Sequence, residues 1–125
     1  MKINELRIGN WVKYDNLLCK VVEIYSEDIY CYDQFGEELH NIEYIQPIEL
    51  TEEVLLKIEF KKFVKRFIMI LNGYRIDYDI DKTLRIYKIH TDCCFVKDLE
   101  IKCEYVHELQ NAYYCLTNEE LEVEL

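Results

Sequence analysis

The sequence has almost none of the residues from which small catalytic loops are built. It holds three glycines and one proline in 125 residues, and Ser26 is its only serine. A loop that cradles phosphate needs several glycines, and a nucleophile elbow needs Gly-x-Ser-x-Gly, so neither can be placed. The same scarcity excludes Gly/Ser or Pro-rich linkers and low-complexity segments, and no repeat recurs at a fixed period. Long apolar runs are missing too. The run "FIMIL" at 67–71 is far short of the roughly 20 residues a membrane helix needs and reads as a strand. The start "MKINELRIGNWV" has no signal-peptide apolar region, so a cytoplasmic protein with no membrane partner is expected. Positive charge is also scarce. Against 25 Asp and Glu stand 15 Lys and Arg, giving a net charge of -10 and a pI near 4.7. General nucleic-acid binding needs clustered cations and is disfavoured. The acidic balance serves solubility and fits a protein partner.

What is present is material for a core. Half the residues are apolar, enough for one ordered domain or two very small ones sharing a core. The six cysteines, at positions 19, 31, 93, 94, 103 and 115, are expected as free thiols in a reducing compartment.

Residues 1–50 read as short strands: an extended piece carrying Trp11 and Val12 after a turn at Gly9 and Asn10, then "LCKVVEIYS", "DIYCYD" and, past "QFGEE", "LHNIEYI". Strands this short and closely spaced predict a small antiparallel barrel of the SH3 kind, closed off by Pro47. Thr51 is a predicted N-cap, with Glu52 and Glu53 in the first turn of a connecting helix and Val54, Leu55 and Ile58 on its apolar stripe. Asn72-Gly73 between two apolar runs predicts a type I′ hairpin. Beyond it Tyr74, Ile76, Tyr78 and Ile80 alternate with Arg75, Asp77 and Asp79. "DKT" makes a second turn into "LRIYKI", giving a three-stranded meander, and "HTDCCFVKDLE" reads as a loop. From about Ile101 the period becomes helical: Tyr105, Val106, Leu109, Ala112, Tyr113 and Leu116 fall on one arc, expected to cover the meander, with Asn118 as a left-handed stop. The expected fold is thus α+β, with an SH3-like barrel at 1–50 and helix, antiparallel sheet and C-terminal helix at 51–125, the two docked as one unit.

The opposite face of that last helix carries a second stripe, Cys103, His107, Gln110 and Tyr114, flanked by Glu104, Glu108 and Asn111. It either packs against the barrel or forms a partner-binding surface of His107, Gln110 and Tyr114.

Three stretches, "NELRIGNWV", "IELTEEVLLKIEF" and "YVHELQNAYYCLTNEEL", resemble those of a family of small uncharacterised proteins from Bacteroides-type gut bacteria, their prophages and related phages. The resemblance covers about half the chain, including Val106, His107, Leu109, Gln110 and Asn111 of a Val-His-x-Leu-Gln-Asn motif. Glu59 and Asn118 stand where that family has glycine. It implies a mobile-element origin and brings no activity, cofactor or substrate with it.

Chemistry has little to stand on. His90, Cys93, Cys94, Cys103 and His107 have zinc-ligand atoms, with Cys103 and His107 spaced as on one helical turn, but no Cys-x-x-Cys pair is present and buried thiols are the plainer reading. Asp77, Asp79 and Asp81 lack the glycine and glutamate of an EF-hand. A Cys103–His107 pair has no third group to orient it, so no enzyme and no cofactor are expected. The aromatic residues Trp11, Tyr14, Tyr25, Tyr30, Tyr32 and Phe35 fit a barrel core better than a cation cage. One basic patch exists: Lys61, Lys62, Lys65 and Arg66 among Phe60, Phe63 and Phe67, expected as the solvated tail of the connecting helix or as a nucleic-acid contact. The functional expectation is a non-enzymatic accessory protein of a phage or prophage that binds a host or phage protein. Two alternatives stand beside it, a nucleic-acid binder using residues 60–67 and an acidic nucleic-acid mimic that inhibits a host defence enzyme.

Overall fold

A computed structural model describes residues 1–90 and 95–125. The protein is a mixed α+β chain with ten strands in two antiparallel sheets, neither closed, a short helix α1 (Glu52–Lys57) and one main helix α2 (Val106–Thr117). It divides into two compact units, Met1–Glu49 with Tyr105–Leu121, and Leu50–Glu104 with Glu122–Leu125. Residues 105–121, expected to follow the sheet of the C-terminal part, group with the N-terminal unit. Their allegiance is set by hydrogen bonds that helical periodicity cannot reveal: Val106 N–H donates to Ile48 O at 2.9 Å, and Tyr105 bridges Glu49 antiparallel.

In the first unit β1 (Trp11–Tyr14), β2 (Leu17–Ile24), β3 (Asp28–Asp33), β4 (Gly36–Asn41) and β5 (Ile45–Gln46) form a sheet in the order β4-β3-β2-β1-β5. Asp15 and Asn16, with φ of 47° and 65°, close the β1–β2 hairpin as a left-handed pair. Alternation then does the sorting. Val12, Cys19, Val21, Ile29 and Cys31 point inward and join Leu6 and Ile45 in one core cluster. A 3-10 turn at Ile42–Tyr44, begun by Asn41 accepting from Glu43 N–H, leads β5 back to β1.

The second unit opens with α1, where Thr51 Oγ1 accepts from Val54 N–H at 3.3 Å. The helix stops at once. Phe60 N–H donates to Leu55 O and Glu59 N–H to Leu56 O, the paired bonds of a Schellman stop, with Glu59 left-handed at φ 83°. Asn118 is left-handed in the same way, with φ 57°, at the end of α2. The stop overturns the expected helical tail, since Lys61–Lys62 is a two-residue strand β6 paired with β7 (Arg66–Leu71). Asn72 and Gly73 take φ of 50° and 82° in the I′ hairpin to β8 (Tyr74–Asp79), and β9 (Thr83–Ile89) follows. Phe95–Lys102, which spans the end of the segment read as a loop and the first residues read as helix, is β10, giving the order β10-β9-β8-β7-β6. Its alternation is hidden by a bulge between Lys97 and Leu99. Ile80 leaves the ladder at the following turn and is 69% exposed rather than buried.

Candidate binding surfaces

The stripe on α2 is an internal joint. Gln110, 1% exposed, accepts from Trp11 N–H at 2.9 Å and donates to Gly9 O at 3.0 Å. Asn111 accepts from the buried Asn10 side chain and donates to Glu5 O, both at 2.9 Å. Gly9, left-handed at φ 98°, lets the chain turn so that these backbone groups face the helix. The Arg7 guanidinium lies 4.0 Å over the Tyr114 ring and reaches Glu120 at 2.7 Å. His107 is buried, its Nε2 3.9 Å from Glu5 and its Nδ1 without a hydrogen-bond partner among the described residues. Burial holds its pKa below the ordinary value, against the pull of Glu108 and Glu5 and with that of the N-terminal ammonium. The stretches Asn4–Val12 and Val106–Asn111 therefore hydrogen-bond to each other. The expected partner surface of His107, Gln110 and Tyr114 is corrected accordingly: His107 and Gln110 are sealed inside the first unit, and Tyr114 is half-covered by Arg7.

The free surface of this unit is the other side of its sheet. Tyr30 opposes Leu39, Tyr32 opposes Glu37 and Lys20 opposes Tyr32 across β2, β3 and β4. Tyr25 packs edge to face on Tyr30 at 5.9 Å. Tyr32, Leu39 and the turn residue Phe35 are exposed beside β4, an edge strand. Tyr14 instead stacks on His40 on the inward side at 3.7 Å, so the aromatic residues divide between two faces. The charge is divided as well. The first unit carries 4 Lys and Arg against 13 Asp and Glu, the second 11 against 12, so nine of the ten net negative charges belong to the first.

The second unit carries the basic residues. Lys61, Lys62, Lys65 and Arg66 are all exposed at one hairpin end with Phe63 and Val64, while Phe60 and Phe67 are buried. Lys62 pairs with Glu52 at 2.6 Å, and Arg66 lies 3.5 Å from Asp77 and 3.7 Å from Asp79. Next to it Arg66, Arg75, Asp77, Tyr87 and Phe95 line a cleft of about 180 Å³. Asp77, expected to point outward, is 2% exposed, covered by Arg75, which grips both its oxygens at 2.8 and 3.1 Å. Arg85 binds Asp79 and Glu100. These contacts hold the Arg75 and Arg85 pKa values up and that of Glu100 down. Arg75 and Arg85 thereby tie Asp77, Asp79 and Glu100 into ion pairs on this sheet, in which Asp79 Oδ1 has no hydrogen-bond partner among the described residues.

Among the described residues no three His, Cys, Asp or Glu side chains are arranged to hold a metal ion. Cys93 and Cys94 lie outside those residues. Cys103 is not on a helical turn with His107, because α2 starts at Val106 and Cys103 N–H extends the strand register by donating to Lys82 O. Cys103 falls in the second unit, as does the exposed His90, and His107 in the first. Cys19, Cys31 and Cys115 carry free thiols. Among the described residues no helix is long and apolar enough to cross a membrane. Comparison with family models, curated proteins and solved structures gives no match.

Proposed function

We propose that the chain is a non-enzymatic accessory protein of a phage or prophage, working in the cytoplasm, whose acidic unit binds a basic protein of host or phage. The segregation of charge carries this reading: nine of ten net negative charges sit in the unit that also exposes Tyr32, Phe35 and Leu39 along an open strand. Exposed aromatic anchors in a unit of strongly one-signed net charge are what a complementary protein surface requires, and an open strand offers it backbone hydrogen bonds. The return of β5 to β1 through a 3-10 turn supports an SH3-like arrangement for this unit. The test is to tag the protein in a Bacteroides-type host and identify what co-purifies, with and without nuclease. One stoichiometric basic protein, retained after nuclease and lost when Tyr32, Phe35 and Leu39 are changed together to Ala, supports the proposal. Nucleic acid alone, or capture indifferent to the triple change, overturns it.

A second reading has its own observation. Lys61, Lys62, Lys65 and Arg66 are all exposed in the unit that is nearly neutral, which removes much of the repulsion a polyanion would otherwise meet. Nucleic-acid binding there falls with salt and is lost when all four are neutralised; binding that survives their neutralisation refutes it. The acidic-mimic reading shares the charge of the first unit and is separated by its partner, which in that case must be an enzyme that DNA displaces.

A further inference from the structure

The open edge of the second sheet differs from the others in the molecule. β6, at the far side of the same sheet, is two residues long, as is β5 in the first sheet. β4 has Glu37 and Glu38 adjacent, which repel in self-pairing. β10 is eight residues long and leaves apolar side chains uncovered on both faces, Phe95 at 47%, Val96 at 48% and Ile101 at 37% exposure.

Its sequence, "FVKDLEIK", is complementary to itself. Laid antiparallel on a second copy about a two-fold axis between Asp98 and Leu99, Val96 meets Ile101, Lys97 meets Glu100 and Phe95 meets Lys102, each pair twice. Face matching depends on the bulge. Relative to β9 the strand has one extra residue between Lys97 and Leu99, so residues an odd number apart across it share a face. Phe95, Lys97, Glu100 and Lys102 oppose Ile89, Tyr87, Arg85 and Thr83 on one side; Val96 and Ile101 oppose Lys88 and Leu84 on the other. The 3.3 Å contact of Lys97 with Glu100 inside one chain shows that the two share a face. Without the extra residue the same register would set every side chain against one of the opposite face.

We propose that β10 pairs with β10 of a second copy of this chain, joining two five-stranded sheets into one of ten strands. Apolar pairs and opposite charges directly across an antiparallel ladder are the elements that stabilise such a joint, and like charges there weaken it. The two-fold axis makes the contact self-complementary and closed, as in most homodimers.

The experiment is sedimentation velocity on the full chain over roughly 1–500 µM, a range suited to a small interface. The wild type is expected to pass from 15.3 kDa to twice that mass. Lys97→Glu sets one glutamate against Glu100 at each of the two contacts, and Glu100→Lys sets one lysine against Lys97 at each. Each alone is expected to weaken association about tenfold or more. Mixed one to one they restore it, because the mixed pair has opposite charges at both contacts. Val96→Glu, which disturbs no ion pair, is expected to abolish the dimer while leaving the melting curve at low concentration unchanged. A wild type that stays monomeric throughout, a dimer indifferent to Val96→Glu, or a mixture no stronger than its components overturns the proposal.

Discussion

Replacing Gln110 by Ala removes in one step the buried side chain that pairs two part-buried backbone groups. Trp11 N–H loses its acceptor at 2.9 Å and Gly9 O its donor at 3.0 Å. A buried polar group left unpaired costs about 1–3 kcal/mol, and the deleted side chain leaves an unfilled space beside it. The sum is a loss of about 2–5 kcal/mol, a large part of the total stability of a small domain. Trp11 is the only tryptophan and carries the affected N–H, so its fluorescence reads the joint directly during urea unfolding. With a denaturant dependence of about 1–3 kcal/mol per molar, the midpoint moves down by roughly 1 M or more. Gln110→Met keeps the volume and removes both bonds, and is expected to lose nearly as much as Gln110→Ala; equality would show that unpaired polar groups rather than the cavity dominate. A loss below about 0.5 kcal/mol in both variants would refute the reasoning, since neither backbone group could then depend on Gln110.

Two further predictions follow from the backbone and from burial. His107 titrates lower when folded than when unfolded, chiefly because burial disfavours the imidazolium, so below about pH 6.5 the unfolded chain binds a proton that the folded one refuses. Its contribution falls as pH drops from there towards the folded pKa, and His107→Gln is expected to flatten the melting temperature between about pH 7.5 and 5.5; an unchanged slope would refute it. Glu59→Gly relieves a left-handed position that costs an ordinary residue roughly 1–2 kcal/mol, less about 0.5–1 for the entropy glycine loses on folding, and should stabilise by about 0.5–1 kcal/mol; thermal unfolding that shows a loss would refute it.

Local signals were legible wherever a few neighbouring residues settle the geometry. The Asn72-Gly73 hairpin, the Thr51 cap and the Asn118 stop follow from backbone sterics and short hydrogen bonds, and each is in place. The end of α1 was not legible. A glutamate gives no hint of positive φ, and the Phe spacing beyond Glu59 imitates a helix. The strand β10 was not legible, because an edge exposed on both faces has no buried side to impose alternation, and its bulge breaks what remains.

For the candidate site, the sequence by itself determined that His107, Gln110 and Tyr114 share one face of a helix, since 3.6 residues per turn requires it. It also determined that the patch at 61–66 is basic and that the chain as a whole is acidic. What that helical face meets is settled by packing between segments far apart in the chain. Gln110 and Asn111 reach Gly9, Trp11 and Glu5 across about a hundred residues of chain, and a hydrogen bond between such distant groups leaves no periodic trace in either segment. The tertiary structure likewise separated an acidic unit from a nearly neutral one, because residues 105–121 join the first unit. Periodicity can make a face amphipathic, but packing chooses what covers it.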